Sequence, residues 1–375
     1  MHIVFLTNEY PSKTTSHGGI GTFVQNLARN LILQNIKVSV LGISNKEKKE
    51  VDNGVAIYRI KQSSIKFGKF IINSAKIRKK LKEIHSVNPI DIVEGSELSF
   101  AFLPKSTSYK KVIRMHGGHH FFAITLNKKP ALWRSFQELK SFKKADALIA
   151  VSNYVGETTK QLVKFNLQFE VIYNFIDLER FKKSDTDLKE ENTIVFIGTV
   201  CEKKGVKQLV EAFPLIKKKF PNVKLYLVGR DWKSKEIDSY INYLKEMISA
   251  DDLKSIIFSG SIPYEQIPVM LEKAHVCVYP SHMESFGLTV IEAMAMAKPI
   301  VYSDIPPFNE LITDQMSGLK CNPLNPKDIA EKIVKLLDNS ERANEIGNKA
   351  RIEMLEKFSP EKIVNQNIDF YKKNN

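Results

Sequence analysis

With 375 residues, 43% of them hydrophobic and 26% charged, the chain is too long for one ordinary core and has the composition of a soluble globular protein of two domains. Its three cysteines, Cys201, Cys277 and Cys321, form no CxxC pair and lie in or beside apolar runs, which excludes a disulfide framework and predicts reduced, structural thiols in a cytoplasmic protein. The net charge of +14 lies wholly in the first half: residues 1–190 hold 31 basic and 17 acidic side chains, and residues 191–375 hold 25 of each.

In chain order, "MHIVFLTNEYPS" lacks a basic leader and has an apolar run of only five residues, so it reads as a buried first strand and not as a signal peptide. No later run approaches the roughly 18 apolar residues of a membrane span. Strands are expected at 2–8, 37–43, 90–95, 111–116, 147–152 and 169–174, with helical stretches between most of them. One of those stretches, "KFGKFIINSAKIRKKLKEI" (66–84), places Phe70, Ile71, Ala75, Ile77, Leu81 and Ile84 near one helical face beside a crowd of lysines. Two readings stay open for it: a helix that meets an anionic membrane surface, or a packed helix with a solvated basic face. Nucleic acid is not expected, because the segment has little aromatic interleaving and no recognisable binding module.

The polar passage 178–193 is the expected linker. Within it Asp185 and Asp187 form a D-x-D that follows no strand, so they read as solvated charges. Strands then resume at 193–198, 223–229, 256–260, 275–281 and 299–303, spaced as βα units. The expected fold is α/β, with two Rossmann-like, doubly wound parallel-sheet domains facing a cleft: residues 1–187, residues 188–358, and a last helix, 359–375, packing back on the first domain. Ligands of such sheets bind outside the carboxyl ends of the strands.

Several segments carry chemistry. In "ESFGLTVIE" a strand ends at Ser281, Glu284 follows in a loop, a helix begins near Phe286, Gly287 and Leu288, and Glu292 lies in its second turn. The helix start offers unpaired N–H groups to a phosphate or sugar oxygen. The two carboxylates either hold sugar hydroxyls or are, respectively, an exposed loop residue and a locally capped helix residue. In "GTVCEKKG", Gly198 and Thr199 lead through Lys203 and Lys204 to Gly205, which brings ammonium and helix N–H groups to one place. "HGGIGTFVQNLA" opens a helix with Gly18, Gly19 and Gly21, but Val24 stands where a dinucleotide fingerprint needs its third glycine, which weakens a hydride-transfer reading. "RMHGGHHFF" holds three histidines at a strand end without a carboxylate or thiolate at ligand spacing, so no metal is expected.

These segments, in this order, resemble the retaining glycosyltransferases of family 4, which have the GT-B fold. "YPSHMESFGLTVIEAMAMAKPIVYSDIPPFNELI" is similar to that family's signature with its two glutamates, "FIGTVCEKKGVKQLVEAF" to its lysine–glycine loop, "VIYNFIDLERF" to its interdomain segment and "ADALIAVSNYV" to an acceptor-domain strand ending in Ser152. The resemblance implies a nucleotide-sugar donor, UDP-linked by preference and GDP-mannose as an alternative. It also implies a glycan or lipid-linked glycan acceptor, in cell-surface polysaccharide or glycolipid biosynthesis, with no metal or other cofactor. Glu284 would hold sugar hydroxyls, Glu292 the ribose diol, and Lys204 with the Gly287 helix end the diphosphate, with Thr199, Gly205, Phe286 and Leu288 beside them. Ser261 and Ile262 would line the base pocket. His116, Gly18, Gly19 and Ser152 would meet the acceptor, Gly19 also approaching the donor, and His116, Lys204 and Glu284 would be the catalytic set. The family usually has arginine where this chain has Thr199, and Arg230 is the expected compensation. A cytoplasmic protein is expected, with attachment to the inner face of a membrane as one of the two readings left open for the basic helix. A sugar-nucleotide epimerase or hydrolase of the same fold, or a non-catalytic glycan-binding partner, remain as alternatives.

Overall fold

The computed structural model describes residues 1–11, 18–65, 68–106, 108–125, 128–183, 188–234 and 236–375. The chain divides into two compact units, Met1–Phe175 with Pro360–Asn375, and Ile176–Ser359. The division falls earlier than the expected 187/188. Segment 176–183 belongs to the second unit because Phe181 is buried edge-on to Tyr264, 5.6 Å between ring centroids, and Arg180 lies over the same ring at 4.7 Å. Asp185 and Asp187 lie outside the described residues.

The first unit is an eight-stranded sheet: β1 (His2–Leu6), β2 (Lys37–Ser44), β3 (Lys48–Asp52), β4 (Val55–Lys61), β5 (Ile92–Gly95), β6 (Lys110–Met115), β7 (Ala147–Ala150) and β8 (Phe169–Val171). Its order is β3-β4-β2-β1-β5-β6-β7-β8, parallel except for the antiparallel pair β3–β4. That hairpin is an addition to the expected strands. Its turn is Asn53-Gly54, both at positive φ (47° and 86°), the conformation that matches the twist of a two-residue hairpin. Phe5, Val40, Ile92, Val112 and Ile149 form one core with Phe23, Leu27 and Leu31 of helix Gly19–Leu33. Ile363, Val364, Phe370 and Tyr371 of helix Pro360–Lys373 complete it, so the last helix packs on the first sheet.

A buried polar network also fixes that helix. Arg114 on β6 donates from Nε to Glu94 Oε1 on β5 at 2.7 Å, and from Nη2 to Glu94 Oε2 at 3.1 Å and to Asn367 Oδ1. The Tyr371 hydroxyl donates to Glu94 Oε2 at 2.7 Å. Arg114 and Glu94 are 1% and 3% exposed, so their charges survive burial only by pairing with each other.

The second unit is a parallel sheet of β9 (Thr193–Ile197), β10 (Lys224–Val228), β11 (Ile256–Gly260), β12 (Val276–Tyr279), β13 (Ile300–Ser303) and β14 (Leu319–Cys321), in the order β11-β10-β9-β12-β13-β14. Its strand order reverses between β9 and β12. At such a switch point successive connections leave to opposite sides and open a crevice at the strands' carboxyl ends. Cys201, Cys277 and Cys321 are buried free thiols. No helix among the described residues is long and apolar enough to cross a membrane.

Truncating one partner of the Arg114–Glu94 pair leaves the other charge buried and unpaired. Arg114→Leu is expected to destabilise the first unit by about 3–5 kcal/mol, and Tyr371→Phe, which deletes one hydroxyl, by about 1–2 kcal/mol. Urea unfolding monitored by circular dichroism measures both.

Candidate functional site

The chemistry-bearing side chains of the second unit gather at its switch point. The loop after β9 runs through the short turn Glu202–Lys204 to Gly205, and the loop after β12 runs from Pro280 to Gly287. Gly205 has φ of +66°, and a Cβ there would lie 1.9 Å from the Pro280 carbonyl oxygen. Only glycine permits that contact, and it brings the two loops together. The His282 N–H donates to the Lys203 carbonyl at 2.9 Å and closes the join. Across it the Lys204 ammonium pairs with Glu284 Oε1, which also accepts from the Ser281 hydroxyl at 3.0 Å. Lys204 and Glu284 keep 20% and 14% of their side-chain exposure, so both remain within a ligand's reach.

Gly287, at φ of +119°, caps helix Leu288–Ala295, and the first N–H groups of that helix have no intrahelical acceptor. A Cβ at 287 would lie 2.6 Å from the Phe308 ring. One to two turns on, Glu292 is 4% exposed and accepts from the Tyr264 hydroxyl at 2.7 Å. Burial pushes its carboxyl up to about 7, against the opposing pull of Tyr264 and Arg180. Tyr264 stands in the loop after β11, which leaves Gly260 through exposed Ser261 and half-buried Ile262. Arg230, after β10, is exposed and has no ion pair among the described residues.

In the first unit a cavity of about 540 Å³ opens at the carboxyl ends of β1, β2, β5 and β6, lined among others by Glu9, Asn73, Ser99, Arg114, His116 and Arg134. His116 is 9% exposed, with its ring edge-on to Phe23 at 6.2 Å. Burial, helped by Arg114, pushes its imidazole down to about 3, so it is neutral across the physiological range. Its backbone N–H donates to Glu97 Oε1 at 2.7 Å. Glu97 is itself buried, which pushes its carboxyl up to about 8, with the nearby Glu138 adding to the rise. Glu138, 0% exposed, accepts from the His119 and His120 N–H groups, both at 2.9 Å, and from the His120 ring. The two carboxyls close around Gly118, where a Cβ would lie 1.7 Å from Glu138 Oε1. Carboxylates therefore do accompany the histidine cluster, brought in by the fold from 97 and 138. No cluster of three or more metal-ligating side chains is found among the described residues.

Residues 178–353 match the family described as Glycosyl transferases group 1, and residues 17–180 match Glycosyltransferase Family 4. The chain is a family 4 glycosyltransferase of GT-B fold. An uncharacterised glycosyltransferase of Methanocaldococcus jannaschii is 27% identical over 354 residues, which cover 92% of each chain. The N-acetyl-alpha-D-glucosaminyl L-malate synthase of Bacillus anthracis is 29% identical over 238 residues, 61% of this chain and 60% of that protein. Among solved structures, sucrose-phosphate synthase from Thermosynechococcus elongatus superposes with a TM-score of 0.83 at 20% identity, covering 99% of this chain and 98% of that one. Anabaena HepE, solved with UDP and glucose, gives 0.79 at 18% identity, covering 99% of each.

Within this glycosyltransferase the structure assembles Lys204, Glu284, Gly205 and Gly287 at one place and sets Glu292 one to two turns deeper on the helix that Gly287 caps. Two expected contacts change. Ser152 is fully buried, caps helix Asn153–Val163 by accepting from the Val155 N–H at 3.2 Å, and is not among the residues that line the cavity. Phe286 turns inward, 2% exposed and edge-on to Phe358 at 5.8 Å, which leaves only its backbone for a ligand. Gly18 and Gly19 open helix Gly19–Leu33 beside Glu9, and it is Glu9 and Ile20 that line the cavity. Sequence reading passed over Tyr264, Ser281, Arg180, Glu97 and Glu138. An ionisable residue inside or beside an apolar run was the available signal for the last two.

Glu292 gives this unit a pH-dependent stability. Its folded value, about 7, lies above its ordinary value of 4.5, so the stabilisation is full below about 4.5 and is lost as pH rises through 7. The unfolding free energy of wild type relative to Glu292→Gln is expected to fall by about 3 kcal/mol between about pH 4 and pH 8. Parallel denaturant titrations across that range check it; a flat difference would show that Glu292 ionises as freely folded as unfolded.

Proposed function

We propose that this glycosyltransferase moves a hexosyl unit, with retention of anomeric configuration and without a metal, from a nucleotide sugar to a glycan or lipid-linked glycan acceptor. The observation that carries this reading is the convergence of Lys204, Glu284 and the Gly287 helix end at the switch point. An ammonium and a helix N-terminus stabilise the charge that accumulates on a departing diphosphate. Glu284, already held by Ser281 and Lys204, accepts hydrogen bonds from sugar hydroxyls. Glu292 holds the ribose diol, and Ser261 with Ile262 faces the base. A UDP-linked donor is favoured, since the similar fold of HepE was solved with UDP and with UDP-glucose.

In this reaction the protein orients and neutralises; it supplies no general base. His116, held neutral by burial, accepts or donates a hydrogen bond to an acceptor hydroxyl in the first-unit cavity. A phosphate oxygen of the departing nucleotide takes the acceptor proton, which leaves the new bond on the face of the old one. The protein works in the cytoplasm against the inner face of a membrane, where lipid-linked acceptors of cell-surface polysaccharide or glycolipid synthesis are found.

Lys204→Met and Glu284→Gln are each expected to lower transfer about 10²–10³-fold while the fold is kept. Transfer from a panel of UDP- and GDP-sugars, with product configuration read by NMR, tests the whole reading. Wild-type rates in both variants, or conversion of donor with no acceptor required, would sink it. Because the diol donates to an ionised Glu292, UDP-glucose affinity is expected to rise with pH through about 7 and to become flat in Glu292→Gln. Calorimetric titration at several pH values decides it.

A further inference from the structure

Helix Leu132–Phe142 of the first unit is packed the wrong way round for a soluble surface. Its inward side is Gln137, Glu138, Ser141 and Phe142, all buried. Its outward side is Leu132, 89% exposed, Trp133 and Phe136, each 49%, and Leu139, 38%. Two of the inward polar groups are held by backbone: Glu138 accepts from the His119 and His120 N–H groups, and the Ser141 hydroxyl accepts from the Phe100 N–H at 3.0 Å. The outward apolar groups are left to water, which a monomeric surface avoids unless something covers them.

The exposed rings continue onto the start of helix Lys69–Val87. Trp133 lies 6.5 Å from Phe70, 5.8 Å from Phe102 and 5.7 Å from Phe136, and Phe70 and Ile71 are 53% and 58% exposed. Cations surround this surface. The Lys140 ammonium lies 5.0 Å over the Phe102 ring and 5.4 Å over Phe136, Arg134 is exposed, and Arg78, Lys79 and Lys82 are exposed further along helix Lys69–Val87. The two helices hold two acidic residues, Glu83, paired with Lys80, and the buried Glu138. An indole among phenyl rings, ringed by lysine and arginine and with no free carboxylate, has the composition of a surface that enters the headgroup layer of an anionic bilayer.

We propose that this face docks the protein on an anionic phospholipid bilayer, and that the acceptor enters the first-unit cavity from that bilayer. The second clause rests on the sugar-transfer reading; the first does not. Phe70, Phe102 and Arg134 belong both to the face and to the cavity lining, so a sugar carried on a lipid reaches the cavity while its tail stays among the rings. The basic helix contributes long-range attraction, and the rings of the neighbouring helix supply the insertion.

The test uses the full chain with its second tryptophan removed by Trp232→Phe, so that Trp133 reports alone. On vesicles of phosphatidylcholine mixed with phosphatidylglycerol, Trp133 emission is expected to shift blue and to be quenched by brominated acyl chains. Leu132→Asp with Phe136→Asp is expected to lower the vesicle-bound fraction about tenfold or more, with unchanged UDP-glucose binding and melting temperature. Equal vesicle binding by the double variant, or an unquenched Trp133, would overturn the proposal. So would a lipid-free dimer that the double variant dissociates, since a second copy would then be the occupant. Transfer to a water-soluble acceptor without vesicle binding would also overturn it and leave the transferase reading standing. Vesicle binding without any sugar transfer would uphold the docking and remove the acceptor route.

Discussion

Parallel strands point all their carboxyl ends toward one edge of a sheet, and at that edge a backbone carbonyl and a glycine decide what can meet. In the second unit the decisive contact is Gly205 against Pro280, which lets the loops after β9 and β12 touch across the switch point. Lys204 and Glu284, 80 positions apart in the chain, become an ion pair through it. Any side chain at 205 would have to move the Pro280 carbonyl and would add a left-handed strain of its own. The same edge is kept open by Gly198 and Gly229, since a Cβ at 229 would lie 1.8 Å from the Gly198 carbonyl. The site is a consequence of backbone proximity first and of charged side chains second.

Both units then face one problem, a carboxylate held out of water, and they solve it in different ways. Glu94 is matched by a full guanidinium, and the pair anchors the last helix. Glu97 and Glu138 are held by backbone N–H groups and lie close to each other; burial raises Glu97 toward its neutral form. Glu292 has one phenol donor and a more distant arginine, which leaves it balanced near neutrality. The first arrangement is structural because Glu94 accepts three hydrogen bonds that tie β5 to β6 and to the last helix. The last retains unused acceptor capacity, and that spare capacity is what a diol uses on the proposed reading.

Most of the architecture was legible because strands buried on both faces, such as "HIVFL" and "TIVFI", are continuous apolar runs. The hairpin was not, because β3 is the charged run "KKEVD" at a sheet edge, paired on one side only. Its Asn-Gly turn was nevertheless a readable signal. Glu284 and Lys204 were legible from resemblance and local spacing. Their direct contact was not, since it depends on a glycine–carbonyl approach that no local pattern encodes. Ser152 was ambiguous for the opposite reason: a serine at a strand end is equally suited to cap the next helix, and here it does. The segment 66–84 divided: Leu81 and Ile84 pack inward as the periodicity implied, whereas Phe70 and Ile71 emerge at its start.

Helix Leu132–Phe142 shows why periodicity gives a face but not its direction. Its apolar stripe, Leu132, Trp133, Phe136 and Leu139, has the spacing of a core-facing surface. What turns it outward is the opposite side. Glu138 has a fixed appointment with two N–H groups at the start of helix His119–Thr125, and Ser141 with the N–H of Phe100. Removing those hydrogen bonds to bury the rings instead would leave buried donors unpaired, at about 1–3 kcal/mol for each. Burying the indole and phenyl rings would return a comparable sum, so hydrophobicity alone does not choose the orientation. The polar partners do, and the apolar side is left facing outward beside the cavity, where on the proposed docking a lipid surface covers it without disturbing any bond within the fold.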